Sequence, residues 1–315
     1  MRVLVTGASG MLGLHLVEAL RRRGHEVVSL VRPNSFAKRP WARRILAGTL
    51  VVEASVTDPL GLARAVDRHA PYDAVIHTAA VLRGRRAEWM VNFEGTRNLL
   101  EALERHPPGT LILISSILAL GDKLRETAEE LDECAPRTVY ERSKCEAEKL
   151  VRRWGSETGW HVVVVRPTWM YGRYSLNPDM PRLLRMAKRG VVPLLGGRGT
   201  PLALVSAKDV AEATTVLLES GVTGTYNVRG PRIYSSEEVA DALLAAVGRK
   251  RGIKVPVPRL VLKPMVWYMG VARYLLLAPS EIPIARLEEA GYRPRTDLVE
   301  GLREMVEWMK KEGLL

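Results

Sequence analysis

Glutamine is absent from this chain of 315 residues, and cysteine occurs only twice. Two thiols, Cys134 and Cys145, with no metal-ligand spacing around them, exclude a disulfide framework and indicate no zinc site, so both read as plain thiols. Uninterrupted apolar runs long enough for a membrane-spanning helix are missing as well. The longest candidate, Leu260 to Leu277, is broken by Lys263, Pro264, Gly270 and Arg273, and reads as a substrate-covering or core helix with a peripheral membrane contact left open. The opening Met-Arg-Val-Leu-Val-Thr-Gly is too short an apolar run for a signal-peptide core, and a cytoplasmic location is expected. Internal repeats and low-complexity tracts are also lacking.

Acidic residues are the minority, 35 against 47 Lys and Arg, for a net charge of +12. Such a surface attracts anions: nucleic acid, a membrane surface or a phosphorylated small molecule. The basic residues fall in short scattered clusters (Arg21 to Arg23, Arg83 to Arg86, Arg249 to Arg251, Lys310 and Lys311). Aromatic residues do not interleave with them, so no nucleic-acid groove is indicated and they read as solvated surface. Arginine abundance without glutamine fits a heat-adapted source, a weak argument on composition alone.

What is present is an alternation. Short aliphatic runs (Val3 to Val5, Val27 to Val31, Leu50 to Val52, Ala74 to His77, Leu111 to Ser115, Val162 to Val165) are separated by amphipathic helical stretches. Near-continuous apolar strands between helices predict a parallel sheet covered on both faces, an α/β Rossmann doubly wound fold. After Arg166-Pro167 the pattern becomes irregular, with a Pro/Gly-rich passage from Asn177 to Pro201, a helix around Asp209 to Glu219 and a strand at Thr225 to Val228. The division expected is a dinucleotide-binding domain over 1–165 with late core elements from 209–229. A smaller interleaved C-terminal substrate lobe then takes 166–208 and 230–315.

The first strand runs into Thr6-Gly7-Ala8-Ser9-Gly10-Met11-Leu12-Gly13 and then a helix. Gly7 permits the tight turn, Gly10 lets backbone amides approach a pyrophosphate, and Gly13 lets the helix pack closely on the sheet. Phosphates would rest on the helix N-terminus. A glycine triplet alone is weak, but a preceding strand and a following helix are the context that confers meaning.

The Thr-Gly-x-x-Gly-x-x-Gly spelling resembles that of the extended short-chain dehydrogenases/reductases, the NAD-dependent epimerase/dehydratase family, and the likeness continues along nearly the whole chain. In pattern it is most similar to dihydroflavonol-reductase-like and 3β-hydroxysteroid-dehydrogenase-like members. The resemblance implies an NAD(P)-dependent oxidoreductase and cofactor contacts from Gly7, Ser9, Gly10, Met11, Gly13, Thr78, Ala79, Ala80 and Pro167. At the end of the second strand, where NAD-preferring members carry an acid, stands Val31, followed by Arg32. The resemblance gives Arg32 the 2′-phosphate of NADP, so NADP is preferred over NAD; the alternative is a surface arginine before Pro33. Ser55 occupies the position of the family's adenine-side aspartate, and His77 reads as a packed structural histidine.

Tyr140-Glu141-Arg142-Ser143-Lys144 puts a phenol and an amine one helical turn apart on one face. A phenol of pKa about 10 needs a nearby cation to exchange protons at neutral pH, and Lys144 can supply one. In related sequences the active serine lies five residues before a glycine, so Gly121 selects Ser116 over Ser115. The resemblance thus assigns Ser116, Tyr140 and Lys144 as the catalytic set, with Tyr140 and Lys144 also touching cofactor. Asn92 is either a helix cap or an amide ordering a water near Lys144.

The same family contains nucleotide-sugar epimerases and dehydratases. Where those commonly carry an asparagine three residues after Arg166 and an arginine seven before Asp209, this chain has Trp169 and Leu202. Trp169, Met170 and Tyr171, with Val266, Trp267, Tyr268 and Met269 further on, suit an apolar or flat substrate, and Trp169 and Met170 are named as substrate contacts. Three functions stand: an oxidoreductase interconverting a secondary alcohol and a ketone, a nucleotide-sugar epimerase or dehydratase, and a non-catalytic dinucleotide sensor. Retention of Ser116, Tyr140 and Lys144 argues against the last. The resemblance implies a homodimer paired through helices from Met90 to Leu103 and Tyr140 to Trp154, no metal, and a small-molecule substrate as the partner.

Overall fold

The computed structural model describes residues 1–125, 130, 134–258, 260 and 281–315. Strands β1 (Arg2–Thr6), β2 (Glu26–Val31), β3 (Leu50–Glu53), β4 (Ala74–His77), β5 (Thr110–Ile114) and β6 (His161–Pro167) are all parallel. A later strand, β11 (Gly224–Val228), completes a seven-stranded sheet of order β11-β6-β5-β4-β1-β2-β3. Alternate side chains of each strand enter opposite cores. Val3, Val5, Ile112, Ile114, Val163 and Val165 face one, and Leu4, Leu111, Leu113 and Val164 the other. This is why the strands read as continuous apolar runs: each fully buried Val or Leu contributes about 1.5–3 kcal/mol whichever way it points.

The helices are α1 (Met11–Arg22), α2 (Ser35–Lys38), α3 (Pro40–Ile45), α4 (Pro59–His69), α5 (Arg85–Trp89), α6 (Gly95–Leu103), α7 (Val139–Thr158), α8 (Asp179–Lys188), α9 (Ala207–Glu219), α10 (Ser236–Ala246), α11 (Ala285–Glu289) and α12 (Leu298–Lys311). A π-helical turn, Met90–Glu94, joins α5 to α6. Helices α4, α6 and α7 cover one face, while α1 and α9 cover the other and pack on each other. Helix α7 begins at a reciprocal cap in which Thr138 accepts from the Glu141 amide and Glu141 accepts from the Thr138 amide; it ends at Gly159 with φ +75°.

Between β6 and the C-terminus three two-stranded pairings arise: β7 (Trp169–Tyr171) with β10 (Leu204–Ser206), β8 (Val191–Gly196) with β13 (Ile253–Pro258), and β9 (Pro201–Leu202) with β12 (Tyr234–Ser235). Leu202 is buried in β9. No helix among the described residues is long and apolar enough to cross a membrane. The expected helix over Leu260 to Leu277, including Val266, Trp267, Tyr268 and Met269, lies outside the described residues apart from the exposed Leu260. The parallel order leaves the carboxyl ends of β1, β4, β5 and β6 side by side, and ligands of such sheets bind outside those ends.

Candidate active site

The chain leaves β1 through Gly7 at φ +67°, a left-handed conformation that a glycine takes without strain. A Cβ there would sit 2.8 Å from the backbone of Ala79, and one on Gly13 would sit 2.3 Å from the Gly7 carbonyl and 2.7 Å from Ala8 Cα. The turn and the seating of α1 therefore both require the glycines. Gly10, the N-cap residue of α1, has no side chain to offer the first-turn amides, and the first turn holds no acid. The positive end of a 12-residue helix is thus open to a diphosphate, and the cradle fits the pyrophosphate of a dinucleotide.

A cleft of about 350 Å³ follows from that turn. Gly7, Ser9, Gly10, Met11, Gly13, Arg32, Thr78, Ala79, Ala80, Tyr140 and Lys144 all line it, and Ser55 and Thr57 close the end where adenine is expected. Ser35 and Arg39 join Arg32 in the same wall. Burial, then the charge of Arg32, push the Arg39 guanidinium below its ordinary value, so two like charges face one space. Neither arginine forms an ion pair among the described residues, and no carboxylate stands at the tip of β2, where Val31 is buried.

Tyr140 and Lys144 occupy the buried face of α7, which carries them to the end of β5. The Lys144 ammonium donates to the Ile114 carbonyl at 2.9 Å; burial pulls its pKa down to about 8, against the raising charge of Glu148. The Tyr140 phenol is pushed up to about 12, chiefly by burial, and a hydrogen bond with Ser116 works in the lowering direction. The lysine is directed at Ile114, and burial dominates the phenol. Ser116 also accepts from the Leu118 amide at 3.2 Å. The five-residue spacing to Gly121 thus picks the serine that meets Tyr140. Ser115 is committed elsewhere: it donates to Glu148, itself fully buried and gripped by Arg166 through Nε and Nη2. That anion holds Arg166 and lies one turn from Lys144 on α7.

Of two supporting residues, one departs from the sequence reading and one agrees with it. Asn92 neither caps a helix nor stands free to order water. Its Oδ1 accepts from the Val81 amide at 2.9 Å and its Nδ2 donates to the Val81 carbonyl and to Ser143 Oγ, both at 3.1 Å, which staples the loop after β4 to α7. It sits in the π-helical turn, an irregularity frequent at functional sites. His77 bridges Thr6 and Thr96 through its two ring nitrogens, at 2.7 and 3.1 Å, and burial drives its pKa down to about 3, so it is a neutral structural residue. Cys134 and Cys145, the latter buried on α7, are both free thiols.

Across Tyr140 a smaller pocket of about 130 Å³ opens, lined by Ser115, Ser116, Ile117, Leu118, Tyr140, Thr168, Trp169 and Met170. Pro167, assigned to the cofactor by resemblance, lines this pocket and not the dinucleotide cleft; it is the last residue of β6, paired with Val228 of β11. Leu82, Arg83, Asn177 and Asp179 complete the wall, and Arg83 pairs with the buried Asp179 at 2.7 Å across the pocket mouth. Sequence reasoning misses these four, and misses Ser35 and Arg39. The only signal for Ser35 and Arg39 is their place just after Arg32; Arg83 reads from sequence as solvated surface.

A model of the NAD dependent epimerase/dehydratase family matches residues 3–228. A ceramide reductase of Caulobacter vibrioides is 29% identical over 99% of this chain and 96% of its own length. A 3-beta-hydroxysteroid dehydrogenase of Mycolicibacterium neoaurum is 31% identical over 90% of this chain and 81% of its own. The structure of UDP-glucose 4-epimerase from Thermus thermophilus in complex with NAD superposes with a TM-score of 0.78 at 27% identity, covering 98% of this chain and 99% of that one.

Proposed function

Since the chain belongs to the NAD dependent epimerase/dehydratase family, whose model spans residues 3–228, and is an NAD(P)-dependent enzyme, we propose that it is a cytoplasmic oxidoreductase. On this reading it reduces an apolar ketone to a secondary alcohol with NADP as the preferred cofactor. The observation that carries the proposal is the pocket beside Tyr140, where Leu82, Ile117, Leu118, Trp169 and Met170 give the wall an apolar side. The chemistry that a nicotinamide dinucleotide supplies when bound is hydride transfer to or from carbon.

The residues then take separate tasks. A phenol held above its ordinary value is protonated at neutral pH, so Tyr140 is set to give a proton to a carbonyl oxygen. Ser116, hydrogen-bonded to Tyr140, is placed to bond the same oxygen, and Lys144 is the cation available to hold the cofactor ribose. Arg32 and Arg39 together favour a phosphate on the adenosine ribose. The named relatives that act on ceramide and on a steroid are enzymes of apolar substrates, which supports the same reading.

A second reading, epimerisation of a nucleotide sugar, is favoured by the likeness to UDP-glucose 4-epimerase. Trp169 and the buried Leu202 at the diphosphate positions weigh against it. We also propose a homodimer through α6 and α7, which lie side by side; sedimentation that gave only monomer at micromolar concentration would oppose it. The test of the main proposal is a panel of apolar ketones assayed with NADPH and NADH in parallel. Turnover with NADPH supports it, and no turnover of any ketone with either cofactor overturns it.

A further inference from the structure

A second cleft, of about 960 Å³, runs along the C-terminal half of α1 and between α3 and α12. Its wall holds four rings in sequence. His15 meets Tyr174 at 5.0 Å, Tyr174 meets Trp308 edge to face at 5.7 Å, and Trp308 meets Trp41 edge to face at 5.2 Å. Six Arg or Lys side chains line the cleft against four Glu, so the lining is net positive. Burial first, then the charge of Arg173, hold His15 neutral with its pKa down to about 3, so it does not alter that balance at neutral pH.

Two features mark this wall. Trp41 Nε1, Trp308 Nε1 and Arg173 Nε are buried donors without a hydrogen-bond partner, and all three residues line the cleft. Indole and guanidinium groups donate only, and orphaned buried donors are rare. In the edge-to-face pair only one indole can present its N–H to the other's face, so that contact does not satisfy both. The second feature is Tyr174, a bulky residue at φ +68°, in a region that L side chains rarely adopt. It is pinned there by a hydrogen bond from its hydroxyl to Glu18 at 3.0 Å and by the Arg173 guanidinium, 5.0 Å from its ring centre. Tyr174 also lines the dinucleotide cleft, so one strained side chain forms part of both walls.

We propose that this cleft is a second small-molecule site, for a flat ring bearing a phosphate or carboxylate, and that its occupancy alters cofactor affinity through Tyr174. The ring matches the aromatic wall, and the acceptor oxygens match three donors that lack one. The anionic charge matches the net positive lining. Coupling runs through the shared residue, and by linkage it acts equally in both directions.

The test uses the full-length protein saturated with NADP⁺, so that the dinucleotide cleft is not free for the probe. AMP and indole-3-acetate are titrated by calorimetry as the ring-phosphate and ring-carboxylate probes, with inorganic phosphate as the ringless control. Saturable binding of at least one ring probe, and none of phosphate, is the expected result. Trp308→Phe keeps a ring and deletes the N–H, and should weaken that probe by about threefold to tenfold. Lys311→Glu, on the exposed rim, should weaken it by about tenfold and does not depend on the core tolerating a change. The NADP⁺ affinity should change in the presence of the probe by the same factor as the probe affinity changes with NADP⁺. Absence of saturable binding by either ring probe at millimolar concentration overturns the site, as does binding indifferent to both variants. Binding that leaves NADP⁺ affinity unchanged overturns the coupling.

Discussion

The dinucleotide cleft and the pocket across Tyr140 share a catalytic edge yet are made differently. The first is built largely by backbone: a left-handed glycine, a helix end without a side-chain cap, and small residues that leave space. The second is built by side chains drawn from six separate segments, at Met11, Leu82, Ile117, Tyr140, Trp169 and Asp179. Backbone-made recognition is bound to a short motif and survives in every sequence that keeps the glycines. Side-chain-made recognition depends instead on where distant segments meet.

The strongest way to break the comparison is at the shared edge. Tyr140→Phe deletes the proton donor and little else, so kcat should fall by about 10⁴ while NADP⁺ affinity measured by calorimetry is unchanged. An active Phe variant would remove the tyrosine from the mechanism.

The cofactor side also rests on groups that must stay uncharged. His77 beneath it, and His15 at the second cleft, are both held by burial near a pKa of about 3, against an ordinary value of 6.5. Their folded pKa values are depressed, so the folded state resists protonation and stability is full above pH 6.5. It is lost as pH falls from 6.5 towards 3, by about 2 kcal/mol per histidine between about pH 7 and 5. Denaturant unfolding at the two pH values checks this; equal midpoints would contradict the buried neutral state.

Ser116→Ala should lower kcat by about 10², as expected for loss of a transition-state donor. Ser115→Ala should instead leave chemistry nearly intact and destabilise the fold by about 1–3 kcal/mol, because it strips a hydrogen bond from the buried Glu148 carboxylate. Kinetics and thermal unfolding on both variants separate the roles, and the reverse ranking would reject them. The smallest effect belongs to the one part of the cofactor side that side chains make. Arg32→Ala should remove a preference for NADP over NAD of about 1.5–3 kcal/mol, and Arg39→Ala part of it. Equal NADP/NAD affinity ratios in wild type and Arg32→Ala would refute the phosphate role.

Legibility in the sequence follows the same divide. Ala74 to His77 and the inner strands are marked by continuous apolar runs because both faces of the sheet are buried there, whereas at the edge strand β3 Leu50 and Val51 are exposed. The Gly7 turn and the Tyr140 to Lys144 pair are legible because each is local, one to a turn and one to a helical face. Asp179 and Arg83 are not, since their pairing joins residues 96 positions apart. Asn92 is misread from sequence for the same reason: its partners Val81 and Ser143 come from other elements. Nor can spacing foresee that burial pushes the Tyr140 phenol up, because spacing carries no desolvation.

The central claim is that the side-chain-made pocket selects an apolar carbonyl compound while the backbone-made cleft serves the family at large. Its most direct test is the ratio of kcat/KM for an apolar ketone reduced with NADPH to that for UDP-glucose epimerised with NAD, both measured on one preparation. The account predicts a ratio far above one, with no detectable UDP-galactose. Epimerisation of UDP-glucose together with failure to reduce any apolar ketone would contradict it.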